Sequence, residues 1–180
     1  MEEITIREMT ESDWPDVSRI YREGIETGLA TFERECPAYE KWDAAHLKVC
    51  RLVAAADGRV VGWTALSPVS TRCVYAGVAE VSIYIDRRCR GKGIGRRLLC
   101  ELICRSEENG FWTLQSGIFS ENEASVRLHK SCGFRTVGCR ERIARDRLGI
   151  WRSTLLMERR SACSRFGEET PPPGSESCSE

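Results

Sequence analysis

A chain of 180 residues, 41% hydrophobic and 30% charged, has the size and composition of one soluble globular domain with a short extension. Its 27 basic and 27 acidic side chains cancel to a formal net charge of +0, which removes any global electrostatic case for nucleic acid or an anionic membrane as partner. No apolar run approaches the roughly 20 residues of a membrane span, and the start MEEITIREM is acidic and amphipathic, unlike a secretory signal, so a cytoplasmic protein is expected.

In chain order, Ile4–Glu8 alternates apolar and polar residues and predicts a strand. Asp13 is placed to cap a helix with Pro15 in its first turn, and Val17, Ile20, Tyr21 and Ile25 recur at helical spacing until about Gly28. Leu29–Cys36 is a connection carrying Thr31, Phe32 and Glu33, and Pro37 opens a second short helix through about Leu47. Arg51–Ala56 and Arg59–Leu66 are strand-like runs joined by Asp57-Gly58, a strong hairpin signal. Ser67–Ala76 is a loop containing Pro68, Arg72 and Tyr75. Val78–Ile85 predicts a strand with Val81, Ile83 and Ile85 on one face and Glu80, Ser82 and Tyr84 on the other. Ile94, Leu98, Leu99, Leu102 and Ile103 mark an amphipathic helix closed at Asn109-Gly110. Phe111–Phe119 reads as a strand, and Ser120 with Glu123 as a capping box for a helix through about Cys132, with Gly133 beyond its end. Phe134–Ile143 and Ile150–Arg159 complete the strands, while residues 161–180, rich in proline, serine and glutamate, are expected to be mostly disordered. Hairpin strands followed by strand–helix units predict a single α/β domain over residues 1–160, built on a mixed sheet.

Ten cysteines without an export signal predict reduced thiols rather than a disulfide framework. No CxxC pair occurs, and no spacing supplies the roughly four convergent ligands of a metal centre, so no metal is expected. His46 reads as an ordinary surface histidine.

The chemistry is concentrated at residues 79–99, AEVSIYIDRRCRGKGIGRRLL. A carboxylate such as Glu80 inside an apolar strand is costly to bury unless it is paired or used. The next loop sets Gly91, Gly93 and Gly95 among Arg87, Arg88, Arg90, Lys92, Arg96 and Arg97. Glycines let backbone N–H groups approach a ligand, and the start of a helix favours anions. The stretch therefore predicts a site for a phosphorylated ligand beside an ionisable group. It contains neither GxxxxGK[ST] nor GxGxxG, which leaves out a P-loop and a dinucleotide fingerprint.

The loop form RxxGxG over Arg90–Gly95, between a strand and a helix, resembles the GNAT superfamily of acyl-CoA-dependent N-acetyltransferases. The run Asn122–Phe134 is similar to the superfamily pattern NxxAxxLYxxxGF, and places Asn122, Ser125 and His129 on one helix face. Many members carry tyrosine at the position of His129, usually assigned to protonating the departing thiolate. The histidine form, with YREGIETGLATFERECP, AEVSIYI and GIWRSTLLMERR, resembles the branch of phosphinothricin and methionine sulfone/sulfoximine acetyltransferases over roughly residues 3–160. Ser153 stands where that branch leads one to expect aspartate.

The resemblance implies a GNAT-type, partly splayed central sheet, acetyl-CoA as co-substrate, a homodimer, and acetyl transfer to the α-amine of a small amino acid or analogue. Glu80 is the expected base, directly or through water, with a structural ion pair as its bland alternative. Backbone amides around Ile83, Tyr84 and Ile85 would hold the thioester carbonyl and pantetheine. Arg90, Gly91, Lys92, Gly93, Ile94, Gly95 and Arg96 would bind the pyrophosphate, and Arg88 or Arg97 the 3′-phosphate. His129 would protonate the thiolate or hydrogen-bond the cofactor. Asn122, Ser125 and Ser131 are assigned to the cofactor as well. A substrate carboxylate needs a cation, and Arg72 is the expected anchor, with Phe32 and Tyr75 as pocket walls and Trp151 as a closing group across a dimer interface. The competing readings are an acetyltransferase of protein N-termini or lysines, which would favour an open groove, and a non-catalytic acyl-CoA-binding module, which would need neither Glu80 nor His129. A nucleic-acid binder would need aromatic interleaving or a groove-reading helix, and neither is visible.

Overall fold

The computed structural model describes residues 4–166. A seven-stranded mixed sheet runs in the order β1 (Ile4–Glu8), β2 (Leu52–Ala56), β3 (Arg59–Pro68), β4 (Val78–Ile85), β5 (Thr113–Phe119), β7 (Trp151–Arg160), β6 (Arg135–Arg145). Among the described residues only β4 and β5 pair in parallel. Asp57 and Gly58 both take positive φ, as the tight β2–β3 turn requires.

Alternation along the strands divides the core between the two faces. On one, Val53, Val60, Trp63 and Ala65 pack under α1 (Trp14–Glu26) and α2 (Tyr39–Ala45), against Val17, Ile20, Tyr21 and Trp42. On the other, Leu52, Ala54, Leu66, Ala79 and Val81 meet Leu98, Leu99 and Leu102 of α3 (Ile94–Glu108). Each of those leucines contributes about 1.5–3 kcal/mol by burial. Val126 and Leu128 of α4 (Glu123–Ser131) pack against the same cluster. Among the described residues no helix is long and apolar enough to cross a membrane.

Four local expectations are corrected. Asp13 does not cap α1 with its side chain; its carboxylate takes the Arg7 guanidinium at 2.7 Å and the Thr10 N–H at 2.8 Å. Ser120 does not cap α4, because its hydroxyl donates to Glu121; the cap is Asn122, whose Oδ1 accepts from the Ser125 N–H. The second helix starts at Tyr39, two residues after Pro37. His46 is not a surface histidine: its ring stacks on Trp42 at 4.3 Å, with Nδ1 at 2.7 Å from the Trp42 carbonyl oxygen. Within the expected tail, Ser164–Phe166 form a 3₁₀ turn, with Phe166 edge-on to Trp112; residues 167–180 lie outside the described residues.

Candidate active site

The sheet opens at its one parallel junction. β4 and β5 pair only at Val78–Thr113, Ala79–Leu114 and Glu80–Gln115, although β4 continues to Ile85 and β5 to Phe119. Past Glu80 the strands diverge, and a cavity fills the wedge. It is lined by Glu80–Tyr84 of β4, Ser116–Phe119 of β5, Ala30–Glu33, and Asn122, Ser125 and His129. The divergence lets Glu80, which alternates with the α3-facing Ala79 and Val81, share one space with His129 of α4.

A second cavity lies between the glycine loop and α4. Its walls include Ile83–Ile85, Cys89, Arg90, Gly91, Gly93–Arg96, Arg127 and Leu128. Ala30, Ile83, Tyr84, Asn122 and Ser125 line both cavities, so the two form one path. The outer cavity carries Arg90, Arg96 and Arg127; the inner one carries Glu33 and Glu80 and, among the described residues, no lysine or arginine. The path runs from a cationic end to an anionic end.

The outer end is built for an anion. Gly91 (φ 75°) and Gly93 (φ 78°) hold left-handed conformations, and a Cβ on either would meet nothing within 4 Å. Their role is therefore conformational rather than one of close packing. Gly95 differs: its Cβ would lie 3.2 Å from Leu128, so it permits the approach of α3 to α4. The first N–H groups of α3 have no acceptor within the helix and carry the positive end of its dipole. The loop is anchored from behind. Asp86 caps the 3₁₀ turn Arg87–Cys89 by accepting from the Arg88 N–H at 2.9 Å, and pairs with Arg19 of α1 at 2.7 Å. Burial works against the Asp86 charge, but these two donors outweigh it and hold the carboxyl below the usual carboxylate range.

At the inner end, Glu80 Oε2 accepts from Gln115 Nε2 at 3.0 Å. His129 is 1% exposed; its Nδ1 lies 2.8 Å from the Ser125 carbonyl oxygen, and its Nε2 has no partner among the described residues. Burial pushes its imidazole below the ordinary histidine value, against the opposing pull of the Ser125 carbonyl. Phe32 meets Phe119 edge-on at 4.6 Å in the wall of the cavity. The Tyr84 phenol is pushed up by burial, and that of Tyr21, behind it, to about 12, so both stay protonated.

The residues 6–134 match the family model described as acetyltransferase (GNAT) family. The chain belongs to that family. A phosphinothricin N-acetyltransferase of Alcaligenes faecalis is 34% identical over 161 residues, 86% of this chain and 81% of that one. An L-methionine sulfoximine/L-methionine sulfone acetyltransferase of Salmonella typhimurium is 33% identical over 107 residues, 59% of this chain and 62% of its own. The structure of a GNAT phosphinothricin acetyltransferase from Sinorhizobium meliloti, in complex with AcCoA, superposes with a TM-score of 0.79 at 30% identity, covering 87% of this chain and 88% of that one.

Of the residues singled out in the sequence, this acetyltransferase brings Glu80, Phe32, Ile83, Tyr84, Asn122, Ser125 and His129 to the inner cavity. Arg90, Gly91, Gly93, Ile94, Gly95, Arg96 and Ile85 line the outer one. Arg88, Lys92 and Ser131 line neither, and the Ser131 hydroxyl donates to the Leu128 carbonyl. Arg97 turns away to donate to the Ile4 carbonyl. Arg72 and Tyr75 are exposed outside both cavities, with the guanidinium over the phenol ring at 5.7 Å. Trp151 is exposed under the Arg145 guanidinium, and Ser153 Oγ accepts from the Arg142 N–H. Sequence reasoning missed Gln115 and the β5 wall Ser116–Phe119 beyond it; the polar and small run Gln115-Ser116-Gly117 inside a strand was the one sequence signal. Among the described residues no three His, Cys, Asp or Glu side chains converge on a metal position, and all nine cysteines there are free.

Proposed function

We propose that the enzyme transfers acetyl from acetyl-CoA to the α-amine of a free amino acid or analogue, of the phosphinothricin or methionine sulfone/sulfoximine type. The observation that carries this reading is the polarity of the path: three arginines and a helix N-terminus at one end, two carboxylates at the other. The outer end suits the diphosphate of coenzyme A, and the inner end an ammonium substrate. Acetyl-CoA, when bound, supplies the acetyl group as an activated thioester.

Glu80 takes the proton that the ammonium must lose before its nitrogen can attack, directly or through one water. Beyond Glu80, the β5-facing edge of β4 has no strand partner among the described residues, which leaves backbone N–H groups there free to stabilise an oxyanion. His129, with its proton on Nδ1, presents a lone pair at Nε2 and so accepts a hydrogen bond from the substrate or the pantetheine arm. Protonating the thiolate from this position requires the ring to charge first, which burial opposes. The inner cavity holds no lysine or arginine among the described residues, and Arg72, exposed outside both cavities, is the cation proposed for the substrate carboxylate. The proposal extends to a cytoplasmic homodimer: the β6–β7 edge with exposed Val137, Ile143, Ile150 and Trp151 is the surface a second copy would cover, and sedimentation tests the dimer.

The test is acetyl-CoA turnover across a panel of amino acids, analogues and peptides, with products read by mass spectrometry. Free amino acids are expected to turn over and peptides to be inert; the reverse result overturns the reading. Glu80→Gln is expected to lower kcat about 10²–10⁴-fold at neutral pH. An unchanged rate removes Glu80 as the base.

A further inference from the structure

Glu80 and Gln115 meet on the last rung of the β4–β5 pairing, where the two strands begin to part. The rung continues across the sheet. Gln115 is opposite Glu158 of β7, and Glu158 is opposite and ion-paired with Arg135 of β6. Residues directly opposite share a face, so the Gln115 amide stands between two carboxylates. The outer one has its own cation. The amide donates inward, from Nε2 to Glu80 Oε2. Glu80 Oε1 lies beside Gly117 in the cavity wall, 3.7 Å from where a Cβ would stand, so the absence of a side chain there leaves the oxygen uncovered.

We infer that Gln115 is a positioning residue for the acetyl transfer: it fixes Glu80 through Oε2 and leaves Oε1 for the substrate amine. The inference rests on the reading of Glu80 as the base. An amide suits this role better than the alternatives. Arginine at this position would hold the carboxylate as a tight ion pair and weaken it as a base. A second carboxylate would compete for the proton. A neutral amide orients the charged form by one hydrogen bond, and by turning over it can accept from the protonated form, so it follows Glu80 through a cycle. The titratable groups that share the inner cavity with Glu80 are Glu33 of the connection after α1, His129 of α4 and Tyr84 of β4. From β3 the opposite residue is the uncharged Ser67, and Glu158 lies beyond Gln115.

The experiment is the pH dependence of kcat/KM for the acceptor amine in Gln115→Leu, Gln115→Glu and Glu80→Gln, with KM for acetyl-CoA and the thermal midpoint as controls. Loss of a hydrogen bond to the charged form in Gln115→Leu is expected to move the acid limb up by about one pH unit, with KM for acetyl-CoA unchanged. Gln115→Glu, placing a third carboxylate in the row, is expected to move it further. If Glu80→Gln is inactive while both Gln115 variants keep the wild-type acid limb, the inference is overturned and Glu80 stands as the base. A uniform loss of rate at every pH with a lowered midpoint makes Gln115 merely structural and overturns it too. A Glu80→Gln enzyme with the wild-type rate overturns the base and, with it, the role of Gln115.

Discussion

The hydrogen bond at His129 Nδ1 fixes more of this site's chemistry than the identity of the residue does. The Ser125 carbonyl oxygen only accepts, so the ring proton is on Nδ1 and the lone pair on Nε2. Buried without a partner, that acceptor costs about 1–3 kcal/mol until a ligand or water meets it. ¹⁵N spectra of the imidazole at neutral pH are expected to show an unprotonated Nε2; a protonated Nε2 would contradict the assignment. His129→Phe keeps an aromatic ring against Phe134 and removes the acceptor. Loss of this one hydrogen bond is expected to lower kcat/KM about tenfold while leaving the thermal midpoint unchanged or raised. The sequence showed where this histidine stands on its helix, because spacing of three and four along 122–129 is a local property. Which nitrogen carries the proton depends on the rotamer that packing selects, and the same holds at His46: its spacing of four from Trp42 is a local pattern, but the seating of both rings against Trp63 of β3 is a tertiary result.

Among the elements, those set by nearby residues were legible and those set across the sheet were not. The Asp57-Gly58 turn and the leucine stripe of α3 are local signals, and each lies where the pattern put it. The α4 cap was ambiguous, because Ser120–Glu123 and Asn122–Ser125 offer two overlapping registers. A tertiary contact accompanies the choice: Asn122 Nδ2 donates to the Leu29 carbonyl at 3.1 Å while Oδ1 caps the helix. One side chain thus starts α4 and pins the connection that roofs both cavities. Two variants separate these roles. Asn122→Ala should cost about 1 kcal/mol of stability and raise KM for acetyl-CoA. Asn122→Asp keeps the capping oxygen but cannot donate to Leu29, so it should restore the thermal midpoint and not KM. Recovery of both by aspartate would show that the Leu29 contact is irrelevant to binding. The parting of β4 from β5 had no signal in the residues themselves, since a parallel pair joins segments separated by the whole of α3; it was expected only through the resemblance.

At the scale of the whole molecule, a formal net charge of +0 hides a strong internal order. Three arginines line one cavity and two glutamates the next, a separation that composition cannot express. The same order governs the response to acid. The chain has two histidines, and burial pushes both His46 and His129 below the ordinary value of 6.5. As pH falls through about 6.5, the unfolded chain takes up protons at these two rings more readily than the folded one, so stability drops. The slope approaches about 1.4 kcal/mol per pH unit for each imidazole. Stability contributed by these groups is therefore present above 6.5 and lost below it. A second loss follows at lower pH. The Arg7 guanidinium holds Asp13 down to about 2 against its usual 3.8, and Asp86 is also lowered, so their contributions are present above 3.8 and vanish as pH falls through the folded values. Urea midpoints measured from pH 8 to pH 2 should show both steps. The double variant His46→Gln, His129→Phe should flatten the upper step and leave the lower one. An upper step that survives the double variant would mean that carboxylates, and not the two imidazoles, govern the onset of acid unfolding.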